Sequence, residues 1–559
     1  MAVPERDGLS KGRPPRFSEK AWLKHMLTLL PILFILIASV IALLVYVFHW
    51  RVGIIWLSAI TASFLAWVLI LVYHFMPVIG LNLINWSPLN STAQFIAYQF
   101  DTVSWPLVFS LVTILLTILL TYPTVARDEK KPARVASVLL LFFSSLLATL
   151  SATPVAFLLS WTLYDFIDGL ILVKAGLSDD GKQALLLNLF MKIFSSCVLV
   201  WSLVISSSEA VLTIGQYSQK AVLIIIVAVC IRVWSTLLIP IDYHLRNISK
   251  EFSLARLLTG TVTALAILGR LSGQLNLSNT GNDLQLIISL IALLGGFGWL
   301  FAGTDQKRLS SWLFTVSSIA ILSAIRGDPG AAVIWVTVMI LIGPAILIFS
   351  PQSKSMYLFP IIGLVGLSGL PLTLASPGWS GITQPRVDLF SVIFLLSYVL
   401  LLMGLIKISV SKFQDNVISE RWMVAMNTAG LSIATAVQLT IIFLINRALP
   451  IIKLWWMTII PIVLAVLLYL IFKFQIGTTP FRVLQKNSIF IARFQSIEKK
   501  IQDGLILKFI YMVFVTVYRI FRRAINGIEG ILEGNAGVIW AALLLVMILT
   551  MLQKVRTMP

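Results

Sequence analysis

Residues 304–318 read Thr304-Asp305-Gln306-Lys307-Arg308-Leu309-Ser310-Ser311-Trp312-Leu313-Phe314-Thr315-Val316-Ser317-Ser318. A short charged head, Asp305 to Arg308, is held between apolar runs at 283–303 and 311–326. A bilayer core of about 30 Å takes roughly 20 apolar residues per helical crossing. The stretch therefore reads as a tight polar turn joining two membrane-spanning helices.

The same punctuation runs outward in both directions. Apolar runs lie at 26–48, 53–76, 104–123, 134–152, 154–175, 186–208, 220–240 and 254–272, then at 283–303, 311–326, 330–350, 356–375, 388–410, 426–447, 454–473 and 536–552. That pattern predicts an all-α polytopic membrane protein of about 16 transmembrane helices. Composition agrees: 58% of the 559 residues are hydrophobic, 12% are charged, and the mean hydropathy is +0.96. No aqueous fold could hide that much apolar surface. The run from Met26 to Val47 is too long for the core of a signal peptide and reads as the first span.

The formal charge of +19 does not point to nucleic acid. Lys and Arg fall in short segments between apolar runs, where they set topology and meet anionic headgroups of membrane lipids. An outside N-terminus puts the basic loops at 124–134, 246–256, 305–308, 411–421 and 473–523 on the cytoplasmic side. The tail at 1–25, with Arg6, Lys11, Arg13, Arg16, Lys20 and Lys24, argues the other way. Residues 474–535 interleave Arg482, Lys486, Arg493, Lys499 and Lys500 with Ile, Phe and Leu, the pattern of an amphipathic helix lying along the membrane. Within that segment 504–521 is apolar enough to read alternatively as an extra span.

Few residue types point to chemistry. Cys197 and Cys230 each sit inside an apolar run, and His25, His49, His74 and His244 are scattered, so neither a disulfide framework nor a metal site is expected. Motifs for a hydrolase, a metalloprotease or a phosphate-binding loop are absent, which leaves an enzyme acting on lipid-linked substrates without support. Nor is there a nicotinamide, flavin, iron–sulfur or quinone signature, so no cofactor is expected and any redox chemistry would belong to partners.

The 304–318 stretch resembles the T-D-x-K-[KR]-x-L-A-Y-S-T-V-S pattern of the antiporter-like membrane subunits of respiratory complex I (NADH:quinone oxidoreductase) and of multisubunit Mrp-type cation/proton antiporters. Further stretches fall in the family's order. Phe100-Asp101-Thr102-Val103-Ser104 with Pro106 looks like the start of its third helix, and Trp161-Thr162-Leu163 sits at its W-E-L. Gly366-Leu367-Ser368-Gly369-Leu370-Pro371-Leu372-Thr373 resembles its helix-12 break, and the amphipathic segment resembles the lateral helix of the longest such subunit.

The resemblance implies N-terminal helices over 26–123, inverted five-helix halves over 134–272 and 283–410, two helices over 426–473, a lateral segment over 474–535 and a terminal helix and tail over 536–559. It implies a multi-pass protein of a prokaryotic cytoplasmic membrane, assembled with other membrane subunits and handling protons or Na+. It also implies an acid on helix 5, a lysine on helix 7, a lysine or histidine on helix 8, and a charged residue on helix 12.

This sequence departs from that titratable line. Thr162 stands at the helix-5 acid position, with Asp165 three residues on, roughly along the same face, and Asp168 beyond it. Arg232 occupies the helix-7 lysine position, and arginine keeps its proton where a buried lysine can release one. Thr259 replaces a common histidine on helix 8, Val338 and Ile342 stand where His and Lys are common on helix 11, and Arg270 matches a terminal arginine that ordinarily anchors at the interface. Lys192 adds an intramembrane charge on helix 6. A charge at the bilayer centre costs about 2.5–3.5 kcal/mol or more, so Asp165, Asp168, Lys192 and Arg232 are the candidate relay residues, or else a charge-neutralised cluster. The expectation is a membrane-arm subunit, non-catalytic within a proton-translocating assembly, whose ion translocation is weakened or lost. The alternative is an autonomous ion-coupled transporter using Asp165 and Asp168 with the break at 363–371.

Overall fold

A computed structural model of the chain describes residues 19–48, 52–76, 78–86, 94–121, 131–206, 217–239, 241, 250–271, 282–349, 356–383, 388–410, 421–445 and 455–477, and beyond these only Met512, Thr516 and Arg519. Most of the basic amphipathic segment and all of the closing helix fall outside them; the three isolated positions are helical.

Among the described residues, twelve helices are long and apolar enough to cross a membrane, and three shorter apolar helices accompany them. The chain is an all-α polytopic membrane protein. The helices are α1 (Glu19–Val47), α2 (Val52–Tyr73), α3 (Ser104–Thr121), α4 (Lys131–Leu150), α5 (Pro154–Ala175), α6 (Asp179–Ser206), α7 (Gln219–Leu238) and α8 (Lys250–Leu265), followed by α9 (Asn282–Phe301), α10 (Asp305–Ile325), α11 (Pro329–Leu341), α12 (Pro344–Phe349), α13 (Leu358–Leu367), α14 (Ser380–Thr383), α15 (Leu389–Val410), α16 (Arg421–Ile445) and α17 (Trp455–Gly477). Buried side chains from nearly all of them share one core.

The helix starts follow local chemistry. Thr153 caps α5 by accepting from Ala156 N–H, with Pro154 in the first turn, where its missing N–H costs nothing. Thr304 caps α10 by accepting from Lys307 N–H, so the quoted stretch is a capped helix start. Asp328 caps α11 in the same way through Ala331 N–H.

Tryptophans tie the helices together. A buried indole N–H usually finds an acceptor, and in four places here it reaches a main-chain carbonyl across the interface: Trp105 to Ile70 O, Trp161 to Thr263 O, Trp299 to Leu401 O and Trp312 to Met339 O, at 2.8–3.2 Å. Glycine makes room for two of these rings. A Cβ on Gly343 or on Gly404 would lie 2.0 Å from the indole nitrogen of Trp312 or Trp299.

Four features differ from the sequence expectation. An antiparallel hairpin, β1 (Ile79–Trp86) with β2 (Gln94–Phe100), fills the interval between α2 and α3, and Tyr98 bridges to Ser151 at the α4–α5 corner. The expected span at 330–350 is two helices, because Pro344 lacks the N–H that would continue the ladder. The expected span at 356–375 ends as helix at Leu367 and turns through Gly369 and Leu372, both at positive φ. Finally, the basic loop expected to reach residue 256 gives way to helix at Lys250, because Phe252, Leu254, Ala255 and Leu257 bury against the bundle.

Candidate functional site

The polar centre lies where α5, α6, α7 and α8 meet. Asp165 and Asp168 are one turn apart on α5 and project toward the other three helices. Asp168 is 2% exposed and both of its oxygens hold a cation: Oδ2 takes Lys192 Nζ at 2.7 Å and Oδ1 takes Arg256 Nε at 2.9 Å. Asp165, whose side chain is 13% exposed, accepts from Arg232 Nη2 at 2.7 Å and lies 3.5 Å from Lys192 Nζ through the same oxygen. Lys192 is thus shared between two carboxylates, each of which also has its own arginine.

Aromatic and main-chain groups complete the packing. Arg232 Cζ sits 4.5 Å from the centroid of the Trp161 ring, and Arg232 Nη2 also donates to Trp161 O at 3.0 Å. A guanidinium face on an indole is a favourable cation–π arrangement when desolvated. Tyr164 Oη donates to Arg256 O at 3.0 Å and pairs with Thr259 Oγ1 at 3.1 Å, while Lys192 Nζ lies 5.4 Å from the Tyr164 ring centroid. Asn188, one turn before Lys192 on α6, donates to Ser235 O on α7 at 2.7 Å and fixes the register of that pair.

The structure brings Asp165, Asp168, Lys192 and Arg232 together and adds Arg256, which sequence reasoning had assigned to a loop. The missed signal was the apolar periodicity that carries α8 back to Lys250. Thr162 stays outside these ion pairs: it is exposed on the outer side of α5, about 60° around the helix from Asp165 and about 120° from Asp168, and donates to Leu159 O at 2.9 Å. Thr259 does stand beside the cluster, through Tyr164. Arg270 pairs with Asp101 at the turn between β2 and α3, so it locks the hairpin to the end of α8.

The second half has a different interior. Val338 and Ile342 are fully buried and apolar, and α11, α12 and α13 carry no charged residue. Trp379 and Tyr398 meet edge to face at 5.2 Å, Trp335 and Tyr398 at 5.9 Å, and Tyr398 Oη donates to Leu367 O at the end of α13. From α16, Gln438 donates to Leu341 O at 3.4 Å, next to the Pro344 break. No group in these contacts changes charge near neutral pH. Among the described residues no His, Cys, Asp and Glu cluster is suited to a metal ion.

No family model and no curated protein matches the chain. Solved structures do. A chain of the Mrp complex from Dietzia sp. DQ12-45-1b superposes with a TM-score of 0.66 at 12% identity, covering 96% of this chain and 63% of that one, so the present chain spans somewhat under two thirds of that relative. A chain of the membrane-bound sulfane sulfur reductase, an archaeal respiratory membrane complex, gives 0.61 at 13% identity over 93% and 99% of the two chains. The fold is antiporter-like. A chain of respiratory complex I from Thermus thermophilus shares the antiporter-like fold at a TM-score of 0.56 and 13% identity, over 74% of this chain and 98% of that one. All three belong to multisubunit membrane complexes. At these identities the likeness concerns the antiporter-like fold alone.

Proposed function

We propose that the chain is a membrane-arm subunit of a complex I-like or Mrp-antiporter-like assembly in which translocation of protons or cations is weakened or lost. The halves 134–272 and 283–410 are its inverted repeats, and its home is a prokaryotic cytoplasmic membrane. The observation that carries this reading is the arginine clamp: Asp165 and Asp168 are each held by a guanidinium, Arg232 and Arg256, that does not release its proton. A proton wire needs groups that accept and donate along its whole length. In the first half both aspartates are tied up in ion pairs with Lys192 and the two arginines, and in the second half the apolar Val338 and Ile342 and the uncharged helices α11, α12 and α13 do not continue such a wire. The remaining role is lateral: a rigid bundle held between other membrane subunits.

Two measurements test this reading. Purification under mild detergent is expected to bring other membrane proteins with the chain; a lone, stable particle would favour the autonomous transporter instead. Proteoliposomes carrying the purified chain are expected to show no ion-coupled transport. Transport that Asp165→Asn abolishes would overturn the inactive reading.

A further inference from the structure

Of the ion-paired side chains in the cluster, Asp165 alone reaches the surface. It is 13% exposed, whereas Asp168, Lys192, Arg232 and Arg256 are at 1–2%. Helical geometry gives the reason. At about 100° per residue, Asp168 and Trp161 lie about 60° and 40° to one side of Asp165, while Thr162, Val173 and Phe166 lie about 60°, 80° and 100° to the other. Trp161 and Asp168 are buried; Leu159, Thr162, Phe166, Leu170 and Val173 are exposed. Asp165 therefore stands on the rim where the buried face of α5 gives way to its outer face, and Thr162 carries the polar line one step further out.

Both residues sit near the middle of the span from Pro154 to Ala175. A carboxylate facing acyl chains at that depth is costly, and lipid chains have no donor to offer it. Both ion pairs of Asp165 are made through Oδ1, to Arg232 and to Lys192, and a carboxylate accepts through both of its oxygens. Thr162 donates its hydroxyl proton to Leu159 O and keeps its lone pairs. Two acceptors, about 4.5 Å apart along the helix axis, thus adjoin on a face whose other exposed side chains, Leu159, Phe166, Leu170 and Val173, are apolar. The outer faces of α9 and α15 differ: Leu286, Ile287 and Leu290, and Leu389, Val392 and Leu396, suit acyl chains as they stand.

Charge decides what kind of donor fits. Arg232 Nη2 and Lys192 Nζ already stand 2.7 and 3.5 Å from the Asp165 carboxylate, so a third cation would meet two like charges away from water. An uncharged donor meets none. We propose that the Thr162–Asp165 rim of α5 seats a transmembrane helix of another membrane subunit, which presents a Ser, Thr, Asn or Gln side chain to these two acceptors. Thr162, small between the bulkier Leu159 and Phe166, leaves the notch that such a side chain enters. Hydrogen bonds of this kind join helices inside a bilayer, where apolar burial does not distinguish a partner from lipid. The inference rests on reading the chain as a subunit, and adds which face meets the partner and by what chemistry.

The test places a photo-crosslinking amino acid at position 166 of the full chain in its native membrane, with position 290 on the outer face of α9 as control. Irradiation is expected to join position 166, and not position 290, to another polypeptide. Mass spectrometry of the joined peptide is expected to find an apolar segment with Ser, Thr, Asn or Gln within one turn of the junction. Thr162→Trp fills the notch and leaves the ion pairs alone; it should lower the yield of that product about tenfold without moving the chain's unfolding midpoint. A product with a second copy of the chain, with a distant segment of the same chain or with lipid only overturns the proposal. So does a partner segment that brings Lys, Arg or no donor to the junction, or a yield that Thr162→Trp leaves unchanged. Absence of any co-purifying membrane protein overturns this inference together with the assembly reading, whereas partners that co-purify without joining position 166 overturn this inference alone.

Discussion

Arg256 Nε lies 2.9 Å from Asp168 Oδ1, and both side chains are enclosed by the bundle. Removing one member of a buried pair strands the other charge, at a cost of about 3–5 kcal/mol. Arg256→Ala is therefore expected to lower the unfolding midpoint of the detergent-solubilised chain sharply. Asp168→Asn combined with Arg256→Ala should lose less than the sum of the two single changes. A strictly additive double-mutant cycle would show that the pair is not coupled.

Asp165 is the less enclosed of the two aspartates, and its partners differ in reach. Arg232 holds it at 2.7 Å, Lys192 at 3.5 Å. Asp165→Lys and Lys192→Asp should each abolish recovery of folded protein from membranes, and the double reversal should restore part of it. If the double change recovers no more protein than either single one, the Lys192–Asp165 contact carries no weight in folding.

Thr162 is exposed on the outer side of α5 and takes no part in the ion pairs of the cluster. Thr162→Ala should change stability by less than about 0.5 kcal/mol. Thr162→Glu should fail to rescue Asp165→Asn in the same unfolding assay, and recovery of wild-type stability in that double variant would contradict the orientation of α5.

Glycine at 343 and 404 admits an indole ring where a Cβ would clash. Gly343→Ala and Gly404→Ala should each cost about 1–3 kcal/mol by overpacking. Trp312→Phe, which removes the donor to Met339 O, should cost about 0.5–1.5 kcal/mol from the lost hydrogen bond. Thermal unfolding distinguishes the two magnitudes, and Trp312→Phe should also soften the clash in Gly343→Ala.

Asp388, just before α15, accepts from Ser391 N–H at 2.9 Å and pairs with Arg326 at 3.0 Å. Burial pushes its carboxyl upward, but the Ser391 backbone and the Arg326 guanidinium outweigh that and hold it below the usual carboxylate range. A lowered value means the stabilisation is complete above the ordinary carboxylate pKa and is lost as pH falls through the folded-state value. Asp388→Asn should therefore flatten the acid limb of the stability profile and leave the neutral region's slope unchanged. The effect is expected to be modest, because Asp388 is more than a third exposed.

Much of this protein was legible in order along the chain. The apolar runs gave the spans, and Thr304 with Asp305 marked a helix start that the structure caps as written. The hairpin escaped because 79–100 lies between spans and short alternating stretches carry a weak signal. Arg256 escaped because a charge at the edge of an apolar run reads equally as loop or as first turn. The exposure of Thr162 escaped because sequence spacing gives angular position without saying which side of the helix meets its neighbours.

By itself the sequence determined that the chain lives in a membrane, how many times its apolar runs invite a crossing, and that acids and bases sit inside those runs at a cost only partners can offset. Tertiary structure alone decided which partners. The cluster joins residues 24, 67 and 88 positions apart, Lys192 to Asp168, Arg232 to Asp165 and Arg256 to Asp168. Those separations carry no spacing signal, since their distances are set by how α5, α6, α7 and α8 pack together.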